Sequence, residues 1–364
     1  MKRAYVVDAA RTAVGKFGGT LSTVRPDDLG ADVIKALVAR NSSIDLNEIE
    51  DVVFGAANQA GEDNRNVARM SLLMAGLPVT VPGLTINRLC ASSLQAIADV
   101  SKNIAIGYGD MFIAGGVESM TRAPFVLPKA ESAYSRAGQV YDTSIGWRFI
   151  NPKLSALYHP YTMGETAENI AEKYGITRQE QDEFAYKTQL NYQNALNANK
   201  FENEIIPVHI PQRKGDALVF QQDEHPRLST VDQLSKLSAA FKSGGTVTAG
   251  NASGINDGAA ALLIVSEEAL KRYNLEPIAE VVSSAAAGVP PEIMGIGPVP
   301  ATQKALKRAG IGVKDLDLVE LNEAFAAQAI ACMRDLDLNP DIVNVNGGSI
   351  AIGHPLGASG ARIT

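Results

Sequence analysis

Cysteine is scarce: the 364-residue chain has two, Cys90 and Cys332. Two thiols cannot build a disulfide framework or a cysteine-based zinc site, which points to a reduced, cytoplasmic setting. Basic residues are also in the minority, 33 against 40 acidic ones for a net charge of −7, which argues against the clustered basic footprint of a nucleic-acid-binding protein. A local basic groove for a phosphorylated ligand stays open. No apolar run reaches the 18 or so residues of a membrane span. The N-terminal run Ala4–Val7 stops at Asp8, too short for a secretory signal. There is no G-x-G-x-x-G, no Walker loop and no H-E-x-x-H. Gly357-Ala-Ser359-Gly360 narrowly misses the nucleophile elbow of the hydrolases because Ala361 holds the last position.

What remains is 46% hydrophobic, 20% charged and 6% aromatic, an ordinary globular composition long enough for two or three domains. Short β-branched runs alternate with longer helical patterns, which predicts an α/β architecture. Strands are expected at 4–7, 51–54, 84–86 and 111–114, and again at 260–265, 279–283, 316–321 and 342–345. Leu94, Ile97, Ala98, Ser101, Ile104 and Ala105 line one helix face, as do Ala301, Ala305, Leu306 and Ala309. The middle third, 119–247, is polar and proline-rich. It carries helices near 164–173 and 178–199, the second opened by a Thr177/Glu180 capping-box pattern. This third reads as an insertion that covers something. The flanking thirds echo each other: 51–55 then 84–87, and 317–321 then 343–346, each leading through an asparagine into a small-residue turn, as in an internal duplication.

Three segments could carry chemistry. Cys90 sits between a strand and a helix, where the helix N-terminus would lower its pKa and offer free N–H donors to an oxyanion. A buried cysteine serving only as a small hydrophobe is the alternative. His354 follows a run containing Gly347, Gly348 and Gly353 and precedes Pro355, well placed as a base for a nearby thiol or as an incidental residue of a structural loop. Asn322 ends a strand, where its carboxamide could orient a water or simply cap a helix.

Asn87-Arg88-Leu89-Cys90, Gly115-Gly116-Val117-Glu118-Ser119-Met120, Thr248–Gly254, Asn322-Glu323-Ala324-Phe325 and Gly353-His354-Pro355 together, in this order, resemble the thiolases (acetyl-CoA C-acyltransferases). The resemblance runs from Arg3 to the last residue. It implies two similar α/β halves forming a five-layered α-β-α-β-α core with an inserted loop domain. Residues 1–118 would begin the N-terminal half, 119–247 would be the insertion, and 248–364 would complete that half and supply a truncated C-terminal half. It further implies that Cys90 is the nucleophile that takes up the acyl group, that His354 activates it, and that Asn322 holds an oxyanion-hole water. Coenzyme A would be a co-substrate rather than a tightly bound cofactor, contacted by Met163, Ala249, Ser253 and Phe325. No metal is implied, and the partners would be acyl-CoA, CoA and further copies of the chain in a homodimer or homotetramer.

Two departures from the family pattern stand out. Thr162 replaces the histidine that many short-chain members carry before the residue matching Met163. The family's second catalytic cysteine lies in a C-terminal motif that would fall after Thr364, so the chain is expected to be truncated, with an uncapped final helix. Cys332 does not match that motif and is expected in the core. The stretches 61–69 and 141–152 resemble those of 3-oxoadipyl-CoA thiolases, whose substrate ends in a carboxylate that Arg65, Arg69, Arg136 or Arg148 could clamp. General 3-ketoacyl-CoA and acetoacetyl-CoA are the alternative substrates. A decarboxylating ketoacyl synthase and a non-catalytic acyl-CoA-binding relic are the alternative classes.

Overall fold

The computed structural model describes residues 2–130, 132–136 and 138–364. Its centre is a mixed sheet built from β1 (Ala4–Thr12), β2 (Asp51–Gly55), β3 (Gly83–Ile86), β4 (Met111–Ser119), β5 (Asn256–Ser266) and β6 (Ala279–Glu280), in the order β6-β1-β5-β4-β2-β3. The pairs β4–β2 and β2–β3 are parallel, while β5 runs antiparallel to both β1 and β4.

Alternation along the strands sends apolar side chains to both faces, so the sheet is covered twice. Val52, Phe54, Ile113, Val117, Leu263 and Val265 face helices α1 (Pro26–Arg40) and α2 (Val67–Met74). Val53, Phe112, Ala114, Leu262 and Ile264 face α3 (Ser92–Ala105), which contributes Ile97, Val100 and Ile104 as its periodicity predicts.

Residues 119–247 carry α4 (Met163–Tyr174) and α5 (Arg178–Asn197), and the Thr177/Glu180 capping box forms as expected. A second capping box joins Thr162 to Glu165, so Thr162 has a helix-starting role that a histidine would fill less well. Helix α6 (Ala326–Asp335) packs against α4 and α5, and Cys332 is buried there as expected.

Three strand expectations need correction. Residues 279–283 reduce to the two-residue β6. The segments 316–321 and 342–345 form no ladder but meet at one parallel bridge, Val319 with Val343. Asn344 explains why: its side chain takes over both backbone groups of Leu321, accepting from the N–H at 2.8 Å and donating to the carbonyl at 2.8 Å. A side-chain amide replaces the next backbone rung. This single parallel bridge runs in the same sense as the β2–β3 pairing.

The final helix, α7 (Leu356–Ile363), is not the unsupported element that its length suggests. Residues Gly357–Ala361 are buried, and the Ala361 N–H donates to Ser93 Oγ at the start of α3 at 2.8 Å. A Cβ on Gly357 would lie 2.5 Å from the Val117 carbonyl oxygen, and one on Gly116 would lie 2.1 Å from the Gly357 carbonyl. Only glycine lets β4 and α7 approach this closely.

Candidate active site

The turn ahead of α3 is locked by its own side chains. Asn87 Nδ2 donates to the Ala57 carbonyl at 2.8 Å, and its Oδ1 accepts from the Leu89 N–H at 2.8 Å. Ser92 Oγ accepts from the Arg88 N–H at 2.8 Å and donates to the Leu89 carbonyl at 2.6 Å. Leu89 is thereby held at φ 48°, a left-handed conformation that costs a branched residue energy and recurs at functional turns. Cys90 follows, half-buried, and no side chain caps α3 behind it.

The expectation of a lowered thiol pKa does not hold. Burial pushes the Cys90 thiol up to about 11; its own backbone N–H opposes the rise, and the nearby Glu118 carboxylate adds to it. Desolvation outweighs the partial charge of a helix terminus, which is worth about half an elementary charge.

His354 is buried and held at three points. Its backbone N–H donates to Asn256 Oδ1 at 2.9 Å, Nδ1 lies 2.6 Å from Ser359 Oγ, and Nε2 lies 3.3 Å from Asn322 Nδ2. The directions of these bonds follow from the donors. Ser359 gives its own proton to the Pro355 carbonyl at 2.9 Å, so it accepts from Nδ1–H. Ser349 Oγ accepts from Arg362 at 2.9 Å and donates to Asn322 Oδ1 at 2.6 Å, which turns the Asn322 amide nitrogen toward the ring. Nε2 is therefore the unprotonated nitrogen, with its lone pair on the Asn322 side. Burial, aided by the positive Arg362, lowers the His354 pKa to about 3 and keeps the ring neutral. The resting site thus holds a thiol and a neutral imidazole rather than an ion pair.

Iodoacetamide should then alkylate Cys90 with an apparent pKa above the ordinary thiol value of about 8.5. Rapid alkylation already saturated near pH 6 would show that the thiolate is preformed.

The remaining sequence-predicted residues also converge. Ala252 and Phe325 form an antiparallel bridge, and the Ser253 N–H donates to the Ala324 carbonyl at 3.0 Å. Phe325 meets Phe241 edge-on at 5.9 Å, and the Phe241 ring lies so close over Gly164, next to Met163, that a Cβ there would be 2.0 Å away. Ala249 lines a cavity of about 160 Å³ with Gly250, Ser229, Leu234, Leu237 and Arg227. Met163, Ala249, Ser253 and Phe325 therefore lie where residues 163–241 meet residues 249–325.

Of the four arginines, Arg69 is spent on structure: it donates to the backbone carbonyls of Val81 and Val79, the latter at 2.9 Å. Arg65 and Arg136 are exposed and Arg148 is partly exposed. Sequence reasoning missed Ser349, Ser359, Arg362 and Arg227. Ser359 lay in the segment set aside as a failed hydrolase elbow, and its spacing of five from His354 was the signal.

The thiolase N-terminal domain matches residues 4–268 and the thiolase C-terminal domain residues 275–364. The chain belongs to the thiolase family. Thiolases are acyltransferases, and this chain shares their fold. The crystal structure of the Bacillus anthracis acetyl-CoA acetyltransferase superposes with a TM-score of 0.93 at 41% identity, covering 100% of this chain and 90% of that one. Human mitochondrial 3-ketoacyl-CoA thiolase in complex with CoA gives 0.91 at 40% identity, with 100% and 89% covered. Among curated relatives, a beta-ketoadipyl-CoA thiolase of Acinetobacter baylyi is 56% identical over 100% of this chain and 91% of its own length. The 3-oxoadipyl-CoA/3-oxo-5,6-dehydrosuberyl-CoA thiolase of Escherichia coli is 52% identical with the same coverage. Among the described residues no cluster of His, Cys, Asp and Glu could hold a metal ion, and no helix is long and apolar enough to cross a membrane.

Proposed function

We propose that this thiolase cleaves 3-oxoadipyl-CoA with CoA, giving acetyl-CoA and succinyl-CoA. The relatives at 52–56% identity support the substrate, and the site geometry supports the chemistry. The observation that carries the chemistry is the His354 ring fixed between Ser359 Oγ and the Asn322 amide.

In this mechanism His354 takes the Cys90 proton as the sulfur attacks the C3 ketone. The alkoxide so formed needs donors, which the free N–H groups at the start of α3 and a water on Asn322 would supply. Collapse of the alkoxide breaks the C2–C3 bond. The electron pair goes to C2, the resulting enolate takes up the proton that His354 removed from Cys90 and leaves as acetyl-CoA, and the four-carbon acyl group stays on Cys90. A CoA thiol then attacks the thioester and gives its proton to His354, and the Cys90 sulfur leaves and takes that proton back. With neutral resting partners the thiol is ionised only as it reacts, so the oxyanion donors must carry much of the stabilisation.

CoA would lie along the surface of Met163, Ala249, Ser253 and Phe325, with exposed Arg227 available to its phosphates. Residues 119–247 would act as the insertion closing over it, between segments 1–118 and 248–364. CoA would exchange freely as a co-substrate. We further propose a cytoplasmic homo-oligomer. Leu84 on the edge strand β3, Leu89 and Leu94 are 48%, 57% and 45% exposed, an apolar edge beside the nucleophile that a second copy would cover.

The test of substrate is a set of single arginine replacements. A charged hydrogen bond is worth about 1.5–3 kcal/mol, so loss of the true clamp among Arg65, Arg136 and Arg148 should reduce kcat/KM for 3-oxoadipyl-CoA by roughly ten- to a hundredfold. Acetoacetyl-CoA, which lacks the carboxylate, should be almost unaffected. Arg69→Ala should lower stability and leave the ratio between substrates unchanged. Equal losses on both substrates at every position would favour a general 3-ketoacyl-CoA thiolase.

A further inference from the structure

We propose that Glu118 is a positioning residue, whose buried carboxylate ties the turn carrying Cys90 to the helix that follows His354 and so sets nucleophile against base. The inference rests on the roles proposed above for Cys90 and His354. Glu118 stands near the end of β4 and is 2% exposed. Its carboxylate accepts from the N–H groups of Ala57 at 2.9 Å, Asn58 at 3.0 Å and Gly357 at 2.7 Å. The Ala57 peptide works in both directions. Its N–H is held by Glu118, and its carbonyl accepts from Asn87, which in turn holds the Leu89 N–H ahead of Cys90. On the other side, Gly357 is the second residue of α7, three positions after His354. One side chain therefore bridges two segments that lie at opposite ends of the sequence.

The chemistry of the bridge indicates more than packing. No lysine or arginine pairs with Glu118 among the described residues; its charge is met by backbone donors alone, at a desolvation cost that an apolar residue would avoid. Burial pushes its own pKa up to about 7, with Asp257 adding to the rise. Asp63 is pushed up to about 7 chiefly by burial and then by Glu118. The same charge makes Cys90 harder to ionise. The site thus keeps a group that opposes thiolate formation, which fits a carboxylate retained for the three N–H groups it aligns. Glutamine cannot replace it, because its amide nitrogen would face at least one N–H donor.

Glu118→Gln and Asn87→Ala, made in the otherwise native protein, separate position from charge. The readouts are the rate of Cys90 acylation by acyl-CoA from intact-protein mass, kcat and KM, the pH profile of Cys90 alkylation, and the melting temperature. Misplacement by about 1 Å can cost about a hundredfold in rate, so Glu118→Gln should slow acylation by ten- to a hundredfold while KM for CoA stays within about twofold. Its alkylation profile should shift to lower pH because the charge is gone, so that a thiol easier to ionise reacts more slowly with substrate. Asn87→Ala keeps the charge, and it should slow acylation with the alkylation profile unmoved. Native acylation rates in either variant would overturn the proposal. So would slower acylation in Glu118→Gln accompanied by a lower melting temperature and an unshifted profile, since that describes loss of packing alone. If Glu118→Gln does not fold, Glu118→Asp decides: it keeps the charge but shortens the reach to the three N–H groups, and native acylation in it would overturn the proposal. Absence of any Cys90 adduct in the native protein would instead strike the mechanism on which the inference rests.

Discussion

Alanine at position 90 is expected to abolish covalent acyl transfer. Incubated with acyl-CoA, the native protein should gain one acyl adduct that maps to Cys90, and the variant should keep its unmodified mass. Removing the nucleophile of a covalent enzyme costs on the order of a millionfold in turnover, so the residual rate should be close to background. The second thiol cannot rescue the reaction. Cys332 is buried in the second-half core, where its Sγ lies 3.4 Å from the Gly295 carbonyl and 3.6 Å from Gln328 Nε2. Burial also pushes its pKa up to about 11, so it is neither accessible nor ionised. An adduct that persists in Cys90→Ala would remove the nucleophile assignment.

The second large effect falls on His354. Its replacement by alanine should slow Cys90 acylation by a hundredfold or more, since general-base catalysis alone contributes about 10²–10⁴. The pH dependence gives a sharper test. An ordinary imidazole with a pKa near 6.5 would be mostly protonated at pH 5, and its base function would be lost. Burial lowers the His354 pKa to about 3, so acidification from pH 7 to 5 leaves Nε2 free. Single-turnover acylation by the native enzyme should therefore hold nearly level across that interval, and the His354→Ala rate should be low throughout. A native profile that collapses with a midpoint near 6.5 would mean that the base is solvated in the working enzyme, and that the Asn322–Ser349–Arg362 and Ser359 contacts do not set its state.

The legible part of this site is the part written in contiguous residues. Asn87–Cys90, Asn322–Phe325 and Gly353–Pro355 are each contiguous, so their motifs survive in one dimension, and the strands over 51–54 and 84–86 were legible as short β-branched runs. What escaped depends on distant partners. Nothing near Arg69 in sequence says that its guanidinium ends on the carbonyls of 79 and 81, and nothing near Glu118 announces the Gly357 N–H. The thiol pKa was misjudged for the same reason. The helix terminus is visible in sequence, whereas the burial and the carboxylate that outweigh it belong to the tertiary structure. Strands 316–321 and 342–345 were over-read because β-propensity cannot register a side chain that substitutes for a ladder rung, as Asn344 does.

The close approach of β4 and α7 has a consequence for how the protein is made. Chains emerge from the ribosome at about 5–20 residues per second, N-terminal parts first. The Cys90 turn is complete tens of seconds before His354 is synthesised, on that scale. Until α7 docks on Gly116 and Glu118, the nascent protein carries a nucleophile with no base, exposed to cellular thioesters and oxidants. The burial that raises the Cys90 pKa belongs to the completed fold, so it does not shelter the thiol in that interval. Docking of α7 therefore brings the base and the burial to the thiol together, so Cys90 is completed and sheltered in one step.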